Sequence, residues 1–263
     1  MHSFSRGVKM KKLTAVLLVL VVALAAAFAN GSSESASAEK SEYIFAANCA
    51  WPPFEMVDDN GDVVGFEMEL VQRLGELAGK KFTIRNVAWD TIFAGLANGQ
   101  YDAVASGVTV TEERKKTIDF ADPFCNIGQI VVIRTKDAGS IKGVADLTKK
   151  KVGVQLGTTG DFALDDYDVV KAQYDEIGLA IIDLANGNID AVVCDSTVAA
   201  DYVLANENFK TVLSTAGGPF TTEEIAICVK KGNSTLLDMI NAGQKTMEEN
   251  GEMAALKAKW NIL

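Results

Sequence analysis

Arg114 and Asp195 carry the charges that the two poles of a zwitterion need. Arg114 lies in a short run, Thr111-Glu112-Glu113-Arg114, that begins as a helix, with threonine capping and carboxylates in the first turn where the dipole favours them. It follows closely on Ser106, Gly107 and Thr109, whose backbone donors are exposed at a strand end. A guanidinium grips a free carboxylate bidentately, and backbone N–H groups add further bonds. Asp195 suits an ammonium. One residue set that holds a carboxylate and another that holds an amine describe a receptor for an α-amino acid. The competing role for Arg114 is an ordinary surface pair with Glu112 or Asp119.

An internal repeat sets these two sets opposite each other. Residues 96–104 read LANGQYDAV and residues 184–192 read LANGNIDAV, 88 positions later and identical at seven of nine positions. In each copy an apolar helix ends on Asn-Gly, whose glycine takes the left-handed conformation that satisfies orphan carbonyls. A short buried strand follows. Two units built alike predict two α/β lobes whose strand ends face each other. Ser106, Gly107 and Thr109 leave the first strand, and Cys194, Asp195 and Thr197 leave the second.

The remaining elements follow from periodicity and turn residues. Tyr43–Ala47 reads as a strand leading into a proline-containing loop at Trp51–Phe54, and Glu55–Val57 with Val63–Gly65 as a hairpin around Asp58-Asp59-Asn60-Gly61. Apolar residues at 66, 70, 71, 74, 77 and 78 give a helix over Phe66–Ala78, and a strand returns at Phe82–Val87. Ile130–Arg134 reads as a strand crossing to the second lobe, and Glu224–Val229 as the strand returning. Between them come a turn at Lys151–Gly160 and a helix over Tyr174–Ala185, and the chain closes with helices at Leu236–Glu249 and Met253–Trp260. Two crossings make a hinge, because paired strands restrain twist while allowing bending.

Composition narrows the function. The formal net charge is −10 with no basic stripe, which argues against a nucleic-acid partner. Lys9, Lys11 and Lys12 precede an apolar run, Leu13–Ala29, that ends on Ala27-Phe28-Ala29, the pattern of a cleavable secretory signal. Residues 1–29 are therefore expected to be a signal peptide and residues 30–40 a disordered linker, with the protein periplasmic or otherwise extracytoplasmic. Lobe one is assigned residues 41–134 and 227–263, and lobe two residues 135–226. Cys49, Cys125, Cys194 and Cys228 lack CxxC spacing and read mostly as small buried side chains, although an even number in an oxidising compartment leaves one disulfide open. No metal site or cofactor is expected from this spacing.

Four separated motifs resemble one family. Trp51-Pro52-Pro53-Phe54-Glu55, Gly65-Phe66-Glu67, the run Asp102–Asp122 (DAVASGVTVTEERKKTIDFAD) and Lys151–Thr159 stand in the order seen in extracellular solute-binding proteins, family 3, which serve polar amino-acid ABC importers. The resemblance implies a type II periplasmic-binding-protein-like α/β fold with two lobes joined by a two-strand hinge. It implies that Arg114 and the Thr109 amide hold the ligand carboxylate, with the Thr159 amide and Thr158 hydroxyl closing on it. The Gly107 carbonyl, Thr109 hydroxyl and Asp195 carboxylate hold the α-ammonium, and Trp51 and Trp89 flank the ligand side chain. Asn48, Gln155 and Cys194 fall at positions that line the pocket in relatives. Asn48 stands where binders of cationic side chains often carry an acid, which favours a neutral polar ligand, although Asp90 and Asp161 leave arginine or lysine as a second choice.

The resemblance implies a monomeric carrier that delivers a free amino acid to an ABC importer's membrane permease. A ligand-presenting sensor module would have the same lobes. A cyclohexadienyl or arogenate dehydratase-like enzyme on this fold is the third reading, weakened because the one histidine, His2, precedes the mature chain and no histidine base is on offer.

Overall fold

The computed structural model describes residues 40–262. The expected signal peptide and nearly all of the expected linker lie outside the described residues.

Two five-stranded sheets carry the fold. In the first, the strands run in the order Lys81–Asn86, Glu42–Ala47, Ala103–Val104, Cys228–Lys230, Ile118–Phe120. In the second the order is Val170–Tyr174, Lys151–Gln155, Ala191–Asp195, Gln129–Arg134, Leu213–Ala216. The two follow one plan. In each, the first three strands pair in parallel and the last two are antiparallel. The strands of the repeated segments, Ala103–Val104 and Ala191–Asp195, occupy the middle of their sheets. Side chains there are buried on both faces, which is why both copies read as continuous apolar runs rather than alternating ones.

The segments that pass between the sheets pair with each other. Cys125–Ile127 and Glu223–Ile225 form a two-stranded antiparallel ribbon, with Glu224 opposite Asn126. This is the two-strand hinge of a type II fold, and the chain is an α/β protein of that architecture. The ribbon also touches the strand end of the first repeat: Val110 N–H donates to Glu224 O at 2.8 Å and Ala226 N–H to Val108 O at 3.1 Å.

Three elements depart from the expected assignment. The strand expected to close lobe one at residue 134 belongs wholly to the second sheet, where Val131 pairs with Val193 and with Ala216. The single return strand, Glu224–Val229, divides in two, because Ala226 and Ile227 turn the chain from the hinge into the first sheet. The helix expected over Tyr174–Ala185 is preceded by a strand, Val170–Tyr174, and begins only at Ile177. That strand is an edge, half exposed along its length, so it lacks the apolar run that betrays a central strand.

Helix Phe66–Ala78 buries Phe66, Leu70, Val71 and Leu74 against the first sheet, and helix Ser234–Glu249 crosses it so closely that a Cβ on Gly243 would lie 2.5 Å from Leu74 Cδ2. Each such buried side chain contributes about 1.5–3 kcal/mol, which gives the strand ends a rigid platform. All four cysteines are buried and free, so the open disulfide is absent.

Candidate functional site

The strand end of the first repeat turns sharply at Gly107. Its φ of +55° is a left-handed conformation, and a Cβ there would lie 2.8 Å from Trp51 Cδ1. Ser106 and Thr109 flank it and are buried. Thr111 caps the helix Glu112–Lys115 by accepting from Arg114 N–H at 3.1 Å, and Arg114 Nη1 reaches back to donate to Thr109 O at 2.9 Å. The guanidinium lies over two rings, with its carbon 5.5 Å from the Trp89 centroid and 5.0 Å from that of Phe93. Burial lowers the Arg114 pKa from its ordinary value, opposed by Cys228, Asp195 and Glu223, and the group remains a cation in water.

No carboxylate pairs with Arg114 among the described residues. The two acids that competed for it are taken: Glu112 pairs with Lys115 at 2.8 Å and Asp119 with Lys231 at 2.6 Å. Arg114 is thus an aromatic-backed cation with bonding capacity to spare.

The strand end of the second repeat places Asp195 opposite. Its carboxylate is buried, accepting at Oδ1 from Gln129 Nε2 at 2.7 Å and at Oδ2 from Trp51 Nε1 at 3.1 Å. Burial pushes its pKa up to about 7, helped by Glu223 and opposed by its two donors and Arg114. Such a group gains a great deal from a cation of its own. Thr158 caps helix Thr159–Ala163, accepting from Asp161 N–H at 3.3 Å, and first-turn N–H groups have no intrahelical partner. Thr159 Oγ1 meets Thr109 Oγ1 at 3.2 Å across the interval between the sheets.

At the far end, Gln155 Nε2 donates to Asn48 Oδ1 at 3.1 Å, and Asn48 Nδ2 donates to Val87 O at 3.4 Å. Gln155 Oε1 is buried with no partner. All eleven expected residues, from Asn48 to Asp195, line one cavity.

Several details correct the sequence reading. Cys194 does not line this cavity, because successive strand residues point to opposite faces and Asp195 takes the inward one; Cys194 packs in the core. Asp161 is turned away and accepts from Gly157 N–H, Lys171 and Gln173. Asp90 lines a neighbouring cavity with Asp175 and Glu176. Trp51 is buried, with its indole N–H on Asp195. Gln129 was missed altogether. Its amide donates to Thr159 Oγ1 at 3.2 Å, to Asp195 and, weakly, to Glu223, and only its place at the start of an apolar strand hinted at an inward role.

Comparisons with known proteins give the family. The chain matches the model of bacterial extracellular solute-binding proteins, family 3, over residues 43–262. It is 35% identical to a probable histidine-binding protein of Neisseria gonorrhoeae over 259 residues, 95% of this chain and 96% of that one. Among solved structures it resembles an ancestral arginine-binding protein bound to arginine, with 36% identity, a TM-score of 0.79, and coverage of 84% of this chain and 98% of that one. It also resembles the ancestral amino acid-binding protein AncCDT-1, a precursor of cyclohexadienyl dehydratase, with 32% identity, a TM-score of 0.78, and coverage of 84% and 95%. The chain belongs to family 3 of the bacterial extracellular solute-binding proteins, a family of amino-acid-binding components of ABC transporters.

Proposed function

We propose that this family member captures one free α-amino acid between its lobes and delivers it to an ABC importer's membrane permease outside the cytoplasm. One observation carries this reading: Arg114 and the buried Asp195, neither of which forms an ion pair among the described residues, line one small cavity. A zwitterion supplies both missing charges. Each charge-assisted bond contributes roughly 1.5–3 kcal/mol, enough for a handful to favour a closed state over an open one.

The side-chain end favours a neutral polar ligand. The charged lining residues are Arg114 and Asp195, which the ligand backbone neutralises, and the amide pair Asn48 and Gln155 supplies neutral polar groups at the far end. The orphan Gln155 Oε1 asks for an N–H donor, which an amide or a neutral imidazole provides. Trp51 and Trp89 offer flat faces to the same group. Cationic side chains rank second, because Asp90 lies one cavity away.

A thermal-shift series of the twenty amino acids, with prephenate as a further arm, tests this reading. A ligand held at about a thousand times its Kd adds about 4.1 kcal/mol to stability. One or a few neutral polar amino acids are expected to raise the melting temperature by several degrees. Stabilisation by prephenate alone would favour the dehydratase reading, and no response to any amino acid would overturn the proposal.

A further inference from the structure

Behind the cavity wall lie two glutamates that the ligand chemistry leaves unused. Glu55 belongs to the hairpin strand Glu55–Val57 and Glu67 to the first turn of helix Phe66–Ala78, and each is 0% exposed. Glu55 Oε1 accepts from Ser106 Oγ at 2.9 Å, and Ser106 Oγ in turn accepts from Asn48 N–H at 2.9 Å. Glu67 Oε2 accepts from Gly107 N–H. The two carboxyls thus hold, from behind, two adjacent residues of the turn that faces the cavity.

Each keeps one oxygen that these bonds do not use. Glu55 Oε2 and Glu67 Oε1 are buried, no other group bonds to either, and the two side chains are in hydrogen-bond contact. Two carboxylates are acceptors only, so such a contact requires a proton between them. No lysine or arginine among the described residues forms an ion pair with either. Glu67 and Asp195 act on Glu55, Glu55 acts on Cys49, and Glu67 acts on Cys125 and Cys228; the cations nearby, Lys257 and Arg114, act on those last two thiols and on neither glutamate.

We propose that Glu55 and Glu67 share one proton, and that this bonded pair positions the Ser106–Gly107 turn for the ligand. Both are positioning residues, since neither lines the cavity. Burial raises Glu55 well above the ordinary carboxylate range, with Glu67 adding to it. Burial also raises Glu67 to about 7, opposed by the Gly107 amide and Glu55. At slightly alkaline pH the pair therefore keeps one proton and carries one negative charge.

The proposal rests on the cavity being the amino-acid site, and its test separates the two. Glu55→Gln places an amide N–H where the shared proton lies and keeps an oxygen for Ser106, whereas Glu55→Ala leaves Glu67 unpaired. Calorimetry with the best-binding amino acid at pH 8 should show at least a tenfold loss of affinity in Glu55→Ala and recovery to within about threefold in Glu55→Gln. The double variant E55Q/E67Q sets two amide NH₂ groups face to face, and its loss should exceed the product of the two single glutamine losses. Additive glutamine losses, or no recovery by Glu55→Gln, would overturn the proposal. Infrared difference spectra at pH 8 should show a deuterium-sensitive carbonyl band of a protonated carboxyl that disappears in Glu55→Gln. Absence of that band in the wild type would overturn the pair whether or not any amino acid binds.

Discussion

The two lobes reach the cavity by different means. Lobe one presents a backbone turn and a cation whose supports lie within that lobe: Glu67 on Gly107, Thr111 on the Arg114 amide, and Thr109 O on the Arg114 guanidinium. Lobe two presents an acid and an amide that are finished from across the cleft, Asp195 by Trp51 and Gln155 by Asn48. Separating the lobes would leave the first set intact and break the two cross-cleft bonds of the second, sparing the bond from Gln129 to Asp195. Under the proposed function, the carboxylate end of the site would be preorganised and the ammonium end completed by closure. The hinge belongs to this scheme, because Glu223 on its second strand accepts from Thr109 Oγ1 at 3.1 Å and Gln129 leads out of its first.

The largest break in that comparison comes from lobe one. Arg114→Ala is expected to cost about 3 kcal/mol of binding, roughly a hundredfold, while circular dichroism and the ligand-free melting temperature stay near wild type. Asp195→Asn keeps one acceptor oxygen, sets an amide NH₂ against the other of the two donors, Gln129 and Trp51, and removes the charge; about 2 kcal/mol, or thirtyfold, is the expected loss by calorimetry.

Proton linkage comes next. A bound ammonium requires ionised Asp195, whose pKa is pushed up to about 7 by burial. Affinity should therefore fall by up to tenfold per unit as pH drops below about 7, and level off above it. The ligand-free protein responds in the opposite sense. Asp195 and Glu67 both have folded values raised to about 7, so the stability they contribute is full below the unfolded carboxylate range and is lost as pH rises through 7. Opposite slopes of affinity and ligand-free melting temperature between about pH 5 and 7, both levelling off above 7, are the expected signature.

The smallest effect is at the side-chain end. Trp89→Leu removes the face under Arg114 and one wall of the cavity, for about 1 kcal/mol. The ranking among amino acids should change more than the affinity for the best one. An unchanged ranking would make the ring a support for Arg114 alone.

Much of this was readable from residue order. The LANG repeat located the middle strand of both sheets and so both strand ends, and Phe66–Ala78 announced its buried face through helical spacing. The edge strands Val170–Tyr174 and Leu213–Ala216 were not read, because half-exposed strands mix polar and apolar residues without a strong period. Within the site, Arg114 and Asp195 were recognisable by charge and context. Glu55 and Glu67 were visible only as parts of motifs, because their chemistry arises from burial and from partners 51 and 40 positions away, Ser106 and Gly107. Gln129 was hidden for the same reason, since Asp195 lies 66 positions on.

One measurement tests the central claim directly. Wild type, Arg114→Ala and Asp195→Asn are titrated with the best amino acid, with its deaminated analogue and with its decarboxylated analogue. The Arg114 loss should vanish for the decarboxylated compound and persist for the deaminated one, and the Asp195 loss should show the reverse. Losses that do not depend on which pole the ligand lacks would contradict the assignment of one pole to each lobe.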